Sequence, residues 1–198
     1  MSKMTKDNRI MEIFEQTGAI THGHFLLTSG RHSDCYVQCA QVLQYPYYTE
    51  QLVQELGKKL PGDYDMIVGP AMGGVILSYE MARYYNVKAV FSERQKGKMT
   101  FRRGFEISPG QKVLVVEDVV TTGGSVQEVI DLVNEKGAIV SNVAALVDRS
   151  GGNISFSGVE NGFVSLIEMN IKSYEEQDCP LCEQGSTPVK PGSRNIDS

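Results

Sequence analysis

The sequence predicts an α/β fold, a doubly wound and mainly parallel sheet of five strands with helices on both faces. Short continuous apolar runs alternate with helical stretches between residues 65 and 167, which is the pattern of a parallel sheet covered on both sides. Glycine-rich turns, "GPAMGG" and "TTGGS", follow two of these runs, and each leads into a helix. The length of 198 residues suits one domain.

The first third of the chain carries two predicted helices. Apolar residues recur at helical spacing between Asp7 and Thr17, and Gly18 closes this stripe. The segment Gly23–Gln44 has no long period, which predicts short strands and turns. A second helix is predicted from Pro46 to about Lys59, where Pro61 and the following glycine end it.

Five apolar runs in the rest of the chain form the predicted sheet. They lie at Met66–Val68, Val87–Phe91, Lys112–Val116, Ile139–Val147 and Phe163–Ile167. The stretches "VILSYEMARYY" and "VQEVIDLVNEKG" supply helices between them.

Composition argues against several classes of protein. The apolar content of 41% and charged content of 22% are those of a globular chain rather than a disordered one. With 19 basic and 24 acidic residues, the chain lacks the basic stripe of a nucleic-acid binder. No secretory apolar run or window of 18 apolar residues occurs, so we expect a cytoplasmic protein without a membrane partner.

The segment "VLVVEDVVTTGGSV", Val113–Val126, is the strongest functional motif. Its apolar strand leads to a loop of small residues before a helix, at the sheet edge where ligands bind in open α/β folds. The loop Thr121–Ser125 can direct backbone N–H groups and hydroxyls towards one point at a helix N-terminus. This arrangement predicts a phosphate site that is neither a Walker loop nor a dinucleotide fingerprint.

Two acidic residues, Glu117 and Asp118, indicate which phosphate compound would bind. Carboxylates beside this loop would repel a bare phosphate, but they can accept hydrogen bonds from sugar hydroxyls or face a magnesium ion. A ribose carrying a phosphate satisfies both parts of the motif. The alternative interpretation is an acidic helix-capping region without a ligand.

This motif resembles the 5-phosphoribosyl-1-diphosphate (PRPP) site of type I phosphoribosyltransferases. Three further segments, "GHFLLTSGRHSDCYVQC", "SERQKGKMTFRRGF" and "LVDRS", resemble segments of the orotate phosphoribosyltransferases within that family. The likeness covers about Gly18 to Arg149. It implies a single domain over residues 1–198, with an N-terminal hood at about 18–45 and a C-terminal tail at about 175–198.

The resemblance implies transfer of a phosphoribosyl group from PRPP to orotate, in pyrimidine (UMP) biosynthesis. Arg94, Lys98 and Asp118 are then the predicted catalytic residues. The predicted PRPP-binding residues are Arg94, Lys98, Ala71, Met72, Gly73, Glu117, Asp118, Val119, Val120, Thr121, Thr122, Gly123, Gly124 and Ser125. The predicted orotate-binding residues are Thr121, Arg149, Thr28 and Tyr36. Magnesium is expected as the cofactor, bound through PRPP because the chain has no carboxylate cluster to hold it alone.

The chain departs from the family pattern at several of these positions. Members generally show Arg-Lys-x-x-Lys-x-His in the mobile catalytic loop, whereas Gln95 and Thr100 replace its second and last residues here. Thr28 stands where many members carry a lysine. Each of three features also has an interpretation without a ligand. Residues 92–105 would be a solvent-exposed charged loop, "GPAMGG" a strained turn, and Arg149 a member of a surface ion pair.

Two other functions share the PRPP motif. A purine phosphoribosyltransferase is the nearest, but Arg149 suits an acidic base because arginine binds carboxylates bidentately. A non-catalytic PRPP-sensing regulator is the other, but this acidic chain has no DNA-binding helix pair or basic face. The family resemblance also implies a homodimer in which loop 92–105 reaches the neighbouring site.

The four cysteines could be reduced thiols or could bind a metal ion. Cys179 and Cys182 have the spacing of half a zinc site, which is weak evidence because a closed site needs four ligands. Cys35 and Cys39 could supply the rest only if the tail folds back over the N-terminal segment. Reduced thiols are therefore the favoured interpretation, with zinc as the alternative. The three histidines, His22, His24 and His32, are interpreted as structural or solvated.

Overall fold

A computed structural model describes residues 6–60 and 62–191. Pro61, the predicted helix terminator, and residues 192–198 of the predicted tail lie outside this range. The chain divides into two compact units, one reaching Gln41 and resuming at Asn170, the other formed by Val42–Met169. In the described part of the chain, no helix combines the length and apolar character needed to cross a membrane.

The second unit contains a six-stranded sheet. Its strands are β3 (Met66–Pro70), β4 (Lys88–Gln95), β5 (Lys98–Phe101), β6 (Lys112–Val120), β7 (Ile139–Asp148) and β8 (Phe163–Glu168). They lie in the order β5-β4-β3-β6-β7-β8, and every neighbouring pair is parallel except β4 with β5. The predicted doubly wound fold is confirmed, and all five predicted strands are present. The antiparallel edge strand β5 is the addition that the sequence analysis missed.

Helices cover this sheet. They are α3 (Pro46–Lys58), α4 (Gly73–Tyr85) and α5 (Gly124–Glu135), while the short α2 (Ala40–Leu43) spans the division between the units. Strand residues 113–116 and 143–147 are fully buried, which explains why these strands are continuous apolar runs. Helix α5 packs a buried apolar stripe into the same core, formed by Val126, Val129, Ile130 and Val133.

The first unit has a small antiparallel sheet. It comprises β1 (Ile20–Leu26), β2 (His32–Val37) and β9 (Ser173–Tyr174), in that order. The described helices of this unit are α1 (Lys6–Gln16), a 3-10 turn (Glu176–Asp178) and α6 (Pro180–Glu183). The β1–β2 register shifts between His22 and Phe25, so a bulge lies at this part of β1.

Candidate active site

The loop between β6 and α5 borders an open pocket of about 160 Å³, lined by Glu117 and residues 119–126. Gly123 stands at the start of α5 with a φ of 74°, a left-handed conformation that favours glycine. A Cβ there would lie 2.3 Å from Ile154 Cδ1, so a larger residue would also have to displace that side chain. The N-cap residue Gly123 has no side chain to cap α5, so the first N–H groups of the helix can bind a ligand.

The acidic pair lies at the carboxyl end of β6. Glu117 is only 8% exposed, and its Oε1 accepts a hydrogen bond from the backbone N–H of Asp118 at 3.0 Å. Burial, followed by the negative charge of Asp118, raises the pKa of Glu117 to about 9. In the ligand-free protein at neutral pH, Glu117 is therefore a neutral carboxyl that can donate as well as accept a hydrogen bond.

The glycine-rich turn after β3 approaches the second member of this pair. A Cβ built on Gly73 would lie 2.4 Å from Asp118 Oδ1, closer than any side chain can stand. The preceding peptide bond, Ala71–Met72, is cis, and Met72 is 83% exposed. The "GPAMGG" turn thus lies against Asp118, which brings two predicted PRPP segments together.

Arg149 lies beside the same loop. Its backbone N–H donates to Val120 O at 2.8 Å, which holds the residue next to Thr121. The guanidinium Nε is buried and has no hydrogen-bond partner among the described residues. A buried donor without an acceptor is costly, and a ligand carboxylate would remove that cost.

The predicted catalytic loop is mostly a β-hairpin. Ser92–Phe101 belongs to β4, β5 and the intervening turn, whose central residues Lys96 and Gly97 both have positive φ, as in the primed turns of tight hairpins. Direct partners in the register are Arg94 with Met99 and Gln95 with Lys98. Because side chains alternate along a strand, Arg94 and Lys98 point to opposite faces of the hairpin.

The two predicted catalytic cations also differ in their surroundings. Arg94 donates to Gly97 O at 2.6 Å and forms an ion pair with Glu128 of α5 at 2.9 Å. This pairing lowers the pKa of Glu128. Lys98 is exposed on the other face. The structure therefore does not bring these two cations to one point in this conformation.

The remaining predicted orotate residues belong to the first unit. Thr28 is exposed in the turn between β1 and β2, where Gly30 N–H donates to Leu27 O at 2.9 Å. Tyr36 is half-buried in β2, and its hydroxyl donates to Gln38 Oε1 at 2.9 Å. Thr121 and Arg149 belong to the second unit.

This site can hold magnesium only together with the phosphate groups of the substrate. The ion takes oxygen ligands in an octahedron and usually combines one or two carboxylates with substrate phosphates. Glu117 is protonated near neutral pH, which leaves Asp118 as the better oxygen donor of the pair. Among the described residues, the one group of three or more candidate metal ligands lies elsewhere, at His24, His32, Cys179 and Cys182. The idea that Cys35 and Cys39 would complete a site with the tail cysteines is therefore wrong, because two histidines take that place.

Similarity to known proteins points to the same ligand class as the phosphate loop and the acidic pair. The model of the phosphoribosyl transferase domain matches residues 48–155. A protein of Caldanaerobacter subterraneus named orotate phosphoribosyltransferase is 54% identical over 95% of this chain and 98% of its own length. This chain belongs to the orotate phosphoribosyltransferase family. The protein of that name from Thermotoga maritima is 53% identical over 94% of this chain and 99% of its own.

Solved structures show how widely the fold of this family is shared. The orotate phosphoribosyltransferase of Aeropyrum pernix gives a TM-score of 0.69 at 24% identity, covering 81% of this chain and 93% of its own. An adenine phosphoribosyltransferase from Thermoanaerobacter pseudethanolicus gives 0.58 at 20% identity, covering 68% and 88%. Because enzymes named for different bases share this fold, the choice of base must lie in particular residues.

Proposed function

We propose that this member of the orotate phosphoribosyltransferase family transfers the 5-phosphoribosyl group of PRPP to orotate. The products are orotidine 5′-monophosphate and diphosphate, as in the synthesis of UMP. The observation that carries the proposal is the unpartnered Nε of Arg149, buried next to a phosphate loop and an acidic pair. Together these groups suit a phosphorylated ribose and an acidic base.

The first role is binding the sugar phosphate. The N–H groups and hydroxyls of Thr121–Ser125 would hold the 5′-phosphate at the N-terminus of α5. Asp118 would accept hydrogen bonds from the ribose hydroxyls, while the neutral Glu117 can donate to one of them. Placing a carboxylate near the ribose also favours the positive charge that develops on the ring as the C1–oxygen bond breaks.

The bond changes need no nucleophile from the protein. The C1–oxygen bond to diphosphate breaks and its electron pair leaves with the diphosphate. The ring nitrogen of orotate forms the new bond to C1, and its N–H proton passes to the departing diphosphate. Magnesium bound to PRPP would offset the negative charge of the leaving group. The chain's own residues orient the two substrates and exclude water.

Binding of the diphosphate requires a rearrangement of the β4–β5 hairpin. Arg94 and Lys98 point to opposite faces, so at least one must turn before both can contact the leaving group. The Arg94–Glu128 ion pair is about two-fifths exposed on each side, and solvent-exposed pairs contribute little to stability. A diphosphate with several negative charges can therefore replace Glu128 as the partner of Arg94.

We further propose a homodimer with a hairpin that serves the neighbouring site. Ile76 and Tyr79 of α4 and its N-cap residue Met72 lie at helical spacing and are respectively 47%, 67% and 83% exposed. An exposed apolar stripe of this kind is typical of an interaction surface. We also propose a cytoplasmic location, since no disulfide joins any of the four cysteines in the described residues, which suits a reducing compartment.

Mixing two inactive variants tests the shared site. Asp118→Asn damages the pocket and Lys98→Ala damages the hairpin, on different copies. If the hairpin acts on the neighbour, one of the two sites of each mixed dimer has both intact parts. Random reassociation of equal amounts makes about half of the dimers mixed, so activity returns to about a quarter of the native level. No recovery in verified mixed dimers would mean that each hairpin serves its own pocket.

An absorbance assay tests the proposed reaction itself. Orotate consumption is measured with PRPP and magnesium, beside reactions containing adenine, guanine or uracil. We expect consumption of orotate that depends on PRPP and on magnesium. Turnover of a purine with orotate unchanged would overturn the proposed substrate.

A further inference from the structure

We propose that His24, His32, Cys179 and Cys182 bind one zinc ion that stabilises the first unit. This site is separate from the proposed phosphoribosyl transfer and does not depend on it. His24 lies in β1, His32 begins β2, and the two cysteines flank the start of α6. Their ligand atoms all lie within 4.8 Å of one another.

The distances match a tetrahedral site. Zinc–nitrogen bonds of ~2.0 Å and zinc–sulfur bonds of ~2.3 Å place tetrahedral ligand atoms roughly 3.3–3.8 Å apart. His24 Nε2 lies 3.0 Å from His32 Nδ1 and 3.5 Å from Cys179 Sγ. Cys182 Sγ lies 3.8 Å from His24 Nε2 and 3.2 Å from His32 Nδ1. One ion at the centre can reach all four atoms with small adjustments.

The hydrogen bond on the far side of His24 fixes its tautomer. His24 Nδ1 lies 3.1 Å from the carbonyl oxygen of Ser186, which can only accept, so Nδ1 carries the proton. Its Nε2, on the other side of the ring, faces His32 and the two sulfurs, where it can bind an ion. A histidine held in this way by a backbone carbonyl is the usual arrangement around a bound metal.

Burial makes the cluster costly without an ion. His24 is 7% exposed, His32 3% and Cys179 0%, while Cys182 is half-buried. Hydrogen bonds alone serve this group poorly, because a thiol is a weak donor and the Nδ1 proton of His24 points away from the cluster towards Ser186 O. An ion that accepts all four lone pairs satisfies every member at once.

The ligand set favours zinc over other metals. Two sulfurs and two imidazoles in a tetrahedron are typical of zinc, and four protein ligands leave no open position for catalysis. A two-iron cluster with two histidines and two cysteines would hold its ligands on separate irons. Ligand atoms within 4.8 Å of one another leave no room for such a cluster.

The site would join distant parts of the chain. Cys179 lies 155 residues beyond His24, and the tail already contacts β1 through Val189, which donates to His24 O at 2.8 Å. Arg31 adds a hydrogen bond to Ser173 O at 2.7 Å and an ion pair with Glu175. A metal linking segments so far apart in sequence restricts the unfolded chain strongly, which is how such a cross-link stabilises a fold.

Metal analysis of the untagged full-length protein tests the proposal. We expect about one zinc per chain after purification from zinc-containing medium. His24→Ala and Cys182→Ser should each lower the zinc content at least about tenfold. The matched controls are His22→Ala, an exposed histidine on the same strand, and Cys39→Ser, a buried thiol outside the cluster, and both should keep the metal.

Cobalt substitution in the native sequence keeps the proposal testable if the variants fail to fold. We expect the intense visible bands of tetrahedral cobalt and a thiolate charge-transfer band, with Cys179 and Cys182 protected from alkylation. Octahedral cobalt, a disulfide joining Cys179 to Cys182, or alkylation of both thiols in metal-supplemented protein would overturn it. Zinc retained at full content in the two ligand variants would also overturn it.

Discussion

The substitution Gly73→Ala tests whether the glycine-rich turn positions Asp118. The added Cβ would stand 2.4 Å from Asp118 Oδ1, whereas ordinary contact begins at 3.4 Å, so the carboxylate must move by roughly 1 Å. A displacement of that size at a catalytic group costs about 10²-fold. We therefore expect kcat/KM for PRPP to fall about 100-fold. The melting temperature should not fall, because alanine is the better residue within a helix.

A double-mutant cycle separates this effect from direct contact of the new methyl group with substrate. In an Asp118→Ala background the obstructing carboxylate is gone. Adding Gly73→Ala should therefore lower kcat/KM for PRPP by less than about threefold. Initial rates at varied PRPP give all four values of kcat/KM. An undiminished 100-fold loss in the Asp118→Ala background, or full activity of Gly73→Ala alone, would refute the positioning argument.

Three further substitutions address single groups. Asp118→Asn should lower kcat/KM by about 10²-fold or more with little change in melting temperature, and a large loss of melting temperature with full activity would show a structural role instead. Lys98→Ala should lower kcat more than PRPP affinity, while Lys96→Ala serves as the control; equal, small effects would mean that the hairpin is only a solvated charge run. In the folded protein Glu117 keeps its proton up to about pH 9, whereas in the unfolded chain it loses the proton near pH 4.5. The free energy of unfolding should therefore fall as the pH rises from about 4.5 to about 9. Glu117→Gln should flatten this fall in denaturant titrations, and an unchanged slope would contradict the raised pKa.

The core of the fold could be predicted because its strands are buried on both faces. Residues 113–116 and 143–147 are therefore apolar without interruption, and such runs are visible in one sequence. Strand β5 gave no such signal, since "KMTF" is short and begins with an exposed lysine. A stronger clue was Lys96-Gly97, a pair that can adopt the positive φ values of a tight hairpin turn.

Site residues could be predicted from the sequence only where they lie close together in one short motif. The phosphate loop and acidic pair lie within one short segment, so their spacing was informative. The approach of Gly73 to Asp118 depends on the pairing of β3 with β6, which no spacing reveals. The histidine–cysteine cluster joins residues about 150 apart, and only the Cys179–Cys182 spacing indicated it.

Selectivity between orotate and uracil is the sharpest test of the proposed role of Arg149, because uracil lacks only the carboxylate that Arg149 would bind. We expect the native protein to prefer orotate strongly. Arg149→Gln should then lose about 10²-fold in kcat/KM for orotate, with the KM for PRPP little changed. A variant that keeps its preference for orotate over uracil would contradict the account.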